Sequence, residues 1–355
     1  MSDFSAYGGI HEEWVAAEKA NPVITVVDMT VEEKKRAQNE AREKVAAEGL
    51  KALRSKVTMR DHGITCRDGH HIEARTYRPS SIDEREKLPV YIHFHGGGFM
   101  TGTLASEDTI CAGIAIGAGV MVLNVNYRHT PEHGYPTAWD DAEDAFEWLH
   151  DNIDAIHGDA QAVVIGGISA GAWLTASLVL RKHLGQSTTS SRPSVAGQVL
   201  MIPCVTFLDC FGPLREKLAN PRQSSYEENA DAPILPLSIA KEYNHYLKVE
   251  NPDPNDLRLN PGHAKPEQVA GLPPTVFGIA GRDILRDEGL LYAKMLAEAG
   301  VPTDVNVYKG VPHGFRRLGA HMPTTASRWD RTMVDGIKWA LSKPRASGRL
   351  EIKAE

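Results

Sequence analysis

Ser169 stands in the pentapeptide Gly167-Ile168-Ser169-Ala170-Gly171, and its flanks give it chemical meaning. The apolar run Ala162-Val163-Val164-Ile165 precedes it, and the helix-forming stretch Ala172-Trp173-Leu174-Thr175-Ala176-Ser177-Leu178-Val179-Leu180 follows. This pattern predicts strand, tight turn and helix, with the serine on the turn. Such a serine is held in a strained backbone conformation, and its hydroxyl projects from the carboxyl edge of a sheet. Gly167 and Gly171 fit because a Cβ at either position would collide with neighbouring backbone. The N-terminus of the following helix favours negative charge developing at the site. The pentapeptide is short enough to occur by chance, so its partners have to carry the assignment.

Three groups could complete a nucleophilic acyl-transfer site. The first is His95-Gly96-Gly97-Gly98-Phe99, directly after the apolar strand Val90-Tyr91-Ile92-His93-Phe94. Bare backbone N–H groups in such a loop can turn toward an oxyanion, and losing one donor typically costs ~2.7–4 kcal/mol. Gly97 and Gly98 are the candidate donors, with Ala170 N–H as the third. Gly96 shapes the loop and His95 opens it. The plainer reading, an ordinary glycine turn, fits a triple glycine after a buried strand less well.

The second group is an acid. Pro274–Ala280 has the pattern of a buried strand, and Gly281-Arg282-Asp283 ends it, placing Asp283 at a strand terminus. Asp287 and Glu288 are the alternatives. They open a helix predicted from Asp287 to Ala299, where carboxylates commonly serve as N-terminal charges worth about 0.3–1 kcal/mol. The third group is a base. The chain has 15 histidines, so one histidine alone proves little. His313 is singled out because Val311-Pro312-His313-Gly314-Phe315 follows the alternating strand Val305-Asn306-Val307-Tyr308. Serine is a weak nucleophile at its own pKa. It needs a histidine to take its proton and a carboxylate to fix the imidazole tautomer.

The order Ser169, Asp283, His313 is that of α/β-hydrolases. The chain resembles the hormone-sensitive lipase family, the carboxylesterases marked by HGGG. Asn126-Tyr127-Arg128-His129-Thr130-Pro131-Glu132-His133-Gly134-Tyr135-Pro136-Thr137-Ala138-Trp139-Asp140-Asp141 is similar to that family's Tyr-Arg-Leu-Ala-Pro-Glu-His-x-Tyr-Pro-Ala-Ala segment. Asp283-Ile284-Leu285-Arg286-Asp287-Glu288-Gly289 resembles its Asp-Pro-Leu-Arg-Asp-Glu-Gly. The resemblance spans roughly residues 50 to 340, with its motifs in order. It implies an α/β-hydrolase fold: a mostly parallel, eight-stranded sheet, helices on both faces and a helical cap. It also implies hydrolysis of uncharged short-to-medium acyl esters of small molecules by a serine enzyme without cofactor or metal. Other reactions on the same scaffold (acyl transfer, dehydration, carbon–carbon cleavage) and a non-catalytic receptor are the competing readings.

The chain departs from the family at several positions. The usual nucleophile segment is Gly-Asp-Ser-Ala-Gly-Gly; here Ile168 replaces the Asp and Ala172 the last Gly. Ile168 removes a charge beside the nucleophile, and Trp173 adds bulk under the turn. His129-Thr130 replaces the family's Leu-Ala, with no consequence readable from sequence.

The elements that must position these residues follow from patterning. Strands are predicted near residues 56–60, 71–77, 90–94, 121–126, 162–165, 198–202, 275–279 and 304–308. After the first strands, strand and helix alternate, which argues for a parallel sheet covered on both faces. Residues 1–50, with the polar helix Val31–Ala46, are the expected N-terminal part of the cap. Residues 51–204 and 274–355 form the two parts of the core. Residues 205–273 interrupt the alternation as a cap insertion, too long for a simple connection. Phe207, Leu208, Phe211, Tyr226, Tyr243 and Tyr246 are its candidate wall residues, with plain packing an equal alternative. The stretch 185–194 is expected to be a surface loop. Asn251–Asp256 lacks the glycine and terminal glutamate of a calcium loop.

Composition limits the partners. The 355 residues are 42% hydrophobic and 24% charged, with net charge −7. Nothing basic suggests nucleic acid, and no polybasic or transmembrane-length apolar run suggests a membrane. The start shows no signal-peptide pattern. Cys66, Cys111, Cys204 and Cys210 form neither a disulfide framework nor a zinc spacing. A cytoplasmic setting is the expectation, with a small ester as partner and a homodimer left open.

Overall fold

The computed structural model describes residues 1–21 and 29–355; residues 22–28 of the expected N-terminal cap segment lie outside the described residues. Two helices, α1 (Glu12–Ala20) and α2 (Val31–Leu50), precede the strands β1 (Val57–Thr65), β2 (His71–Pro79) and β3 (Leu88–Phe94). Alternation then follows: α3 (Asp108–Ala118), β4 (Met121–Asn126), α4 (Thr137–Asn152), β5 (Gly158–Ile168), α5 (Ala170–His183) and β6 (Gly197–Met201). The 205–273 stretch contains the short helices α6 (Gly212–Arg215), α7 (Ser225–Glu228), α8 (Leu237–Tyr246) and α9 (Pro266–Val269). The chain closes with β7 (Thr275–Arg282), α10 (Arg286–Glu298), β8 (Thr303–Pro312), α11 (Pro323–Leu341) and β9 (Ile352–Ala354).

The described residues build one nine-stranded sheet, ordered β1-β2-β4-β3-β5-β6-β7-β8-β9. β2 is antiparallel to β1 and β4; all other pairs are parallel. The sequence predicts eight strands. The ninth is a three-residue edge strand near the C-terminus, Ile352-Lys353-Ala354, too short for its period-2 alternation to stand out. It pairs with Val305–Val307 of β8.

Each central strand feeds two cores because its side chains alternate between faces. In β5, Val163 and Ile165 join the cluster packed by α4, α5 and α10, while Val164 joins the one packed by α1, α3 and α11. Residues Ala170 to Leu180 of α5 are all buried, which explains why its sequence is apolar all round rather than striped. By contrast, α2 buries only Ala46 and is begun by a capping box between Thr30 and Glu33. The stretch expected as a loop at 185–194 forms one 3₁₀ turn, Thr188–Ser191, capped by the Ser187 side chain.

The parallel register matters most for function. Phe94 pairs with Gly167, Ile168 with Met201, Met201 with Gly278, and Arg282 with Pro312. The carboxyl ends of β3, β5, β7 and β8 therefore share one edge, where open α/β sheets bind their ligands.

Candidate active site

The four sequence motifs meet at that edge. Ser169 immediately follows β5 and is the N-cap of α5, with φ 56° and ψ −115°. This strained conformation costs about 1–3 kcal/mol for a non-glycine residue. The surroundings hold it: Ser169 N–H donates to Met201 O at 2.8 Å, and Trp173 N–H donates to Ser169 O at 3.0 Å. The turn has no room for a larger neighbour, since a Cβ on Gly171 would run into the carbonyl oxygen of Phe94.

Asp283 follows β7, and His313 follows β8. Both are buried, at 2% and 7% exposure. His313 Nδ1–H donates to Asp283 Oδ2 at 2.7 Å. The Ser169 hydroxyl lies 2.9 Å from His313 Nε2, the nitrogen left to accept its proton. The other Asp283 oxygen accepts from Leu285 N–H at 3.0 Å, which fixes the carboxylate plane. Asn229 holds the Asp283 carbonyl at 3.2 Å. One line of hydrogen bonds thus runs from carboxylate through imidazole to hydroxyl.

The loop after β3 brings Gly97 and Gly98 beside this line. Their φ values are 137° and 62°, conformations that L side chains rarely adopt. Among the described residues, neither N–H has a hydrogen-bond partner. Ala170 opens α5, so its N–H lacks an intrahelical acceptor. The Tyr243 ring of α8 occupies the space where a Gly98 Cβ would go, closing the loop from the insertion side. His95 stacks on Tyr127 at 4.3 Å. Burial pushes its pKa down to about 4, aided by the Arg42 charge, so it is a neutral support. Tyr127 OH in turn donates to His95 O at 2.7 Å.

Asp287 and Glu288 stand apart from His313 and lie in the first turn of α10, as expected of N-terminal helix charges, but that turn is covered. Both are buried, at 2% and 0% exposure, and they fasten the 205–273 stretch to α10. Asp287 pairs with Arg286 at 2.8 Å and accepts from Ser225 N–H at 2.7 Å. Glu288 accepts from Val205 N–H at 2.7 Å and Tyr226 OH at 2.6 Å. Burial dominates its titration and lifts it to about 7 against the pull of those donors. The sequence pattern could not separate these roles, because a carboxylate in a first helical turn has the same pattern whether the turn is covered or bare.

The departures from the family also acquire surroundings. Ile168 is half-buried and places no charge beside Ser169. Trp173 packs edge-on against Phe99 and Trp139, and its indole N–H donates to Leu259 O at 2.7 Å. His129 Nε2 lies 3.4 Å from His95 Nε2, and the Thr130 hydroxyl donates to Phe99 O at 3.4 Å, so the changed pair contacts the glycine loop. Of the candidate wall residues, Phe207, Phe211 and Tyr226 are buried packing, Tyr246 bonds to Glu242, and Tyr243 meets the site. Sequence motifs do not reveal Arg42 and Glu107, which bond to each other across 65 positions, with Arg42 also bonding to the glycine loop. Such a pair has no local spacing to read. The four cysteines are free, and among the described residues no side-chain cluster could hold a metal.

Comparison with known proteins agrees with this fold. A family model for the α/β hydrolase fold matches residues 91–317. The chain belongs to the α/β-hydrolase superfamily, in its carboxylesterase group. It is 32% identical over 267 residues to Esterase LipI of Mycobacterium tuberculosis, covering 74% of this chain and 77% of that protein. It is also 32% identical over 260 residues to an ethyl acetate hydrolase of Pseudomonas putida, covering 73% and 76%. The structure of vibralactone cyclase overlays with TM-score 0.84 at 26% identity, covering 97% of both chains. The esterase of Pyrobaculum calidifontis overlays with TM-score 0.76 at 28% identity, covering 94% of this chain and all of that one.

Proposed function

We propose that this protein is a serine carboxylester hydrolase acting on short-to-medium acyl esters of small molecules, with Ser169 as nucleophile. The observation that carries the reading is the pair of contacts on His313: 2.9 Å to Ser169 Oγ and 2.7 Å to Asp283 Oδ2. His313 Nε2 takes the serine proton as Oγ attacks the ester carbonyl. The N–H groups of Gly97, Gly98 and Ala170 receive the oxyanion. His313 then gives its proton to the departing alkoxide, which leaves as the alcohol, and an acyl-serine remains. A water molecule, deprotonated by His313, attacks that ester and releases the acid. Every proton is handled by residues of this chain, so the scheme needs no cofactor or metal.

Residues 1–50 and 205–273 together serve as the cap, with Tyr243 at its inner surface. The names of the esterase and ethyl acetate hydrolase relatives support a small ester as substrate. The remaining expectations are a cytoplasmic enzyme, neither nucleic acid nor a membrane as partner, and a homodimer to be tested by light scattering.

A second reading has one observation in its favour, the overlay with a protein named as a cyclase. In that reading the acyl group passes to a hydroxyl rather than to water. One experiment separates the two: p-nitrophenyl esters from acetate to palmitate, run beside fluorophosphonate labelling. Turnover without an added acceptor supports hydrolysis. Labelling without turnover supports transfer, and neither result supports a receptor.

A further inference from the structure

A backbone donor has no side chain to aim it. What aims it is the carbonyl of its own peptide plane, because C=O and N–H point in opposite directions across a trans peptide. The Gly98 N–H is therefore directed by the Gly97 carbonyl, and the Gly97 N–H by the Gly96 carbonyl. The first is held locally: Gly97 O accepts from Met100 N–H at 3.0 Å, Thr101 N–H at 3.1 Å and Thr101 Oγ1 at 3.3 Å. The second is held from a distance. Arg42 Nη1 donates to Gly96 O at 3.0 Å, and the His95 ring approaches the same oxygen at 3.1 Å.

Arg42 belongs to α2, the polar helix with almost no core of its own. Its Nη2 donates to Glu107 Oε1 at 2.7 Å. Glu107 is 2% exposed, and its second oxygen accepts from His93 Nε2 at 3.0 Å. Burial pushes the Glu107 carboxyl up, but the His93 hydrogen bond and the Arg42 charge outweigh it and hold it well below the usual carboxylate range. The guanidinium is thus fixed between a buried carboxylate and the glycine loop. Nearby, Asn39 Oδ1 accepts from Gly102 N–H at 2.9 Å, and Thr103 Oγ1 donates to Glu43 at 2.7 Å. One face of α2 is fastened along the whole loop.

We infer that Arg42 is a positioning residue for the oxyanion hole: its bond to the Gly96 carbonyl points the Gly97 N–H at the developing oxyanion, and Glu107 with His93 hold Arg42 there. This rests on the hydrolase reading for the reaction it serves. It goes further by making the N-terminal helix a working part of the catalytic loop rather than a cover.

The test compares wild type with Arg42→Met, counting competent sites by the end-point stoichiometry of fluorophosphonate labelling. kcat per labelled site is expected to fall ~10²-fold on p-nitrophenyl acetate with KM little changed, since loss of an oxyanion donor costs about 10²–10³. Affinity for a trifluoromethyl ketone, which forms a hemiketal oxyanion on the serine, should fall in parallel. Affinity for the matching methyl ketone should stay constant. Unchanged kcat overturns the inference. Equal weakening of both ketones also overturns it, because the whole pocket has then moved. If Arg42→Met does not fold, Glu107→Gln loosens the anchor and leaves the Gly96 bond in place. A smaller, selective loss of trifluoromethyl ketone affinity is expected there, and full retention overturns the inference. Wild-type protein without ester turnover would instead strike the hydrolase reading, and the ketone comparison would still report on Arg42.

Discussion

Each residue at the edge of the sheet has a separable task. Ser169→Ala keeps the strained turn and removes only the oxygen, so the protein should stay folded while kcat falls at least ~10³-fold. Near-wild-type turnover by a pure sample would remove Ser169 from the mechanism. Asp283→Asn keeps the volume but favours the wrong imidazole tautomer, and the loss should reach up to ~10⁴-fold in kcat. Asp287→Asn is the control. Its carboxylate pairs with buried Arg286, which keeps Glu228 as a second partner, so the change should cost about 1.5–3 kcal/mol in stability. Chemical denaturation should show that loss, with kcat per folded molecule nearly intact. The reverse pattern would reassign the acid.

At the scale of the element, one helix end is held by a carboxylate from another helix. α11 begins at Pro323, and its first N–H groups need acceptors. Glu13 of α1 supplies them, accepting from Thr324 N–H at 3.1 Å, Thr325 N–H at 3.0 Å and Thr325 Oγ1 at 2.6 Å. Partial burial works against the Glu13 carboxylate, but these donors prevail and lower its pKa from 4.5 to about 2. A folded-state pKa below the unfolded one means that unfolding takes up a proton. Glu13 therefore stabilises the fold above about pH 4.5, and this contribution is lost as pH falls toward 2. Glu13→Gln should flatten that part of a stability-versus-pH curve measured by thermal unfolding. An unchanged acid slope would show that the α1–α11 contact does not depend on the charge.

At the scale of the whole molecule the expectation is an enzyme for dissolved substrates. Among the described residues, the large apolar side chains left exposed are Met1, Ile10, Val15 and Val45. No helix among them is long and apolar enough to cross a membrane. With Tyr243 closing over Gly98, a pocket of limited depth should gain roughly 0.8 kcal/mol for each CH₂ buried until its wall is reached. Activity on p-nitrophenyl esters should peak at short or medium acyl length, fall for palmitate, and rise smoothly through the solubility limit. A maximum on long-chain emulsions with a jump at that limit would mean that the cap opens at interfaces.

The sequence by itself determined the parts of this protein that are local. Strand, turn and helix around Ser169 are written in adjacent residues, because a glycine-flanked turn and an all-apolar helix leave their marks within a few positions. The same holds for the glycine loop after β3 and for the strand ends carrying Asp283 and His313. A parallel sheet follows from strand–helix alternation, and it brings strand ends to one edge without further information. Tertiary structure alone decided what depends on distant partners. Whether Asp287 and Glu288 were bare helix-end charges or buried anchors depended on what covered α10, and the covering residues Ser225, Tyr226 and Val205 lie about sixty to eighty positions away. The edge strand Ile352–Ala354 exists because β8 offers it open backbone and the core edge receives Ile352 and Ala354. Arg42 is one cation among many on a polar helix until folding sets it against Gly96 and Glu107. Periodicity records which face of an element is buried; it does not record which atom waits on the other side.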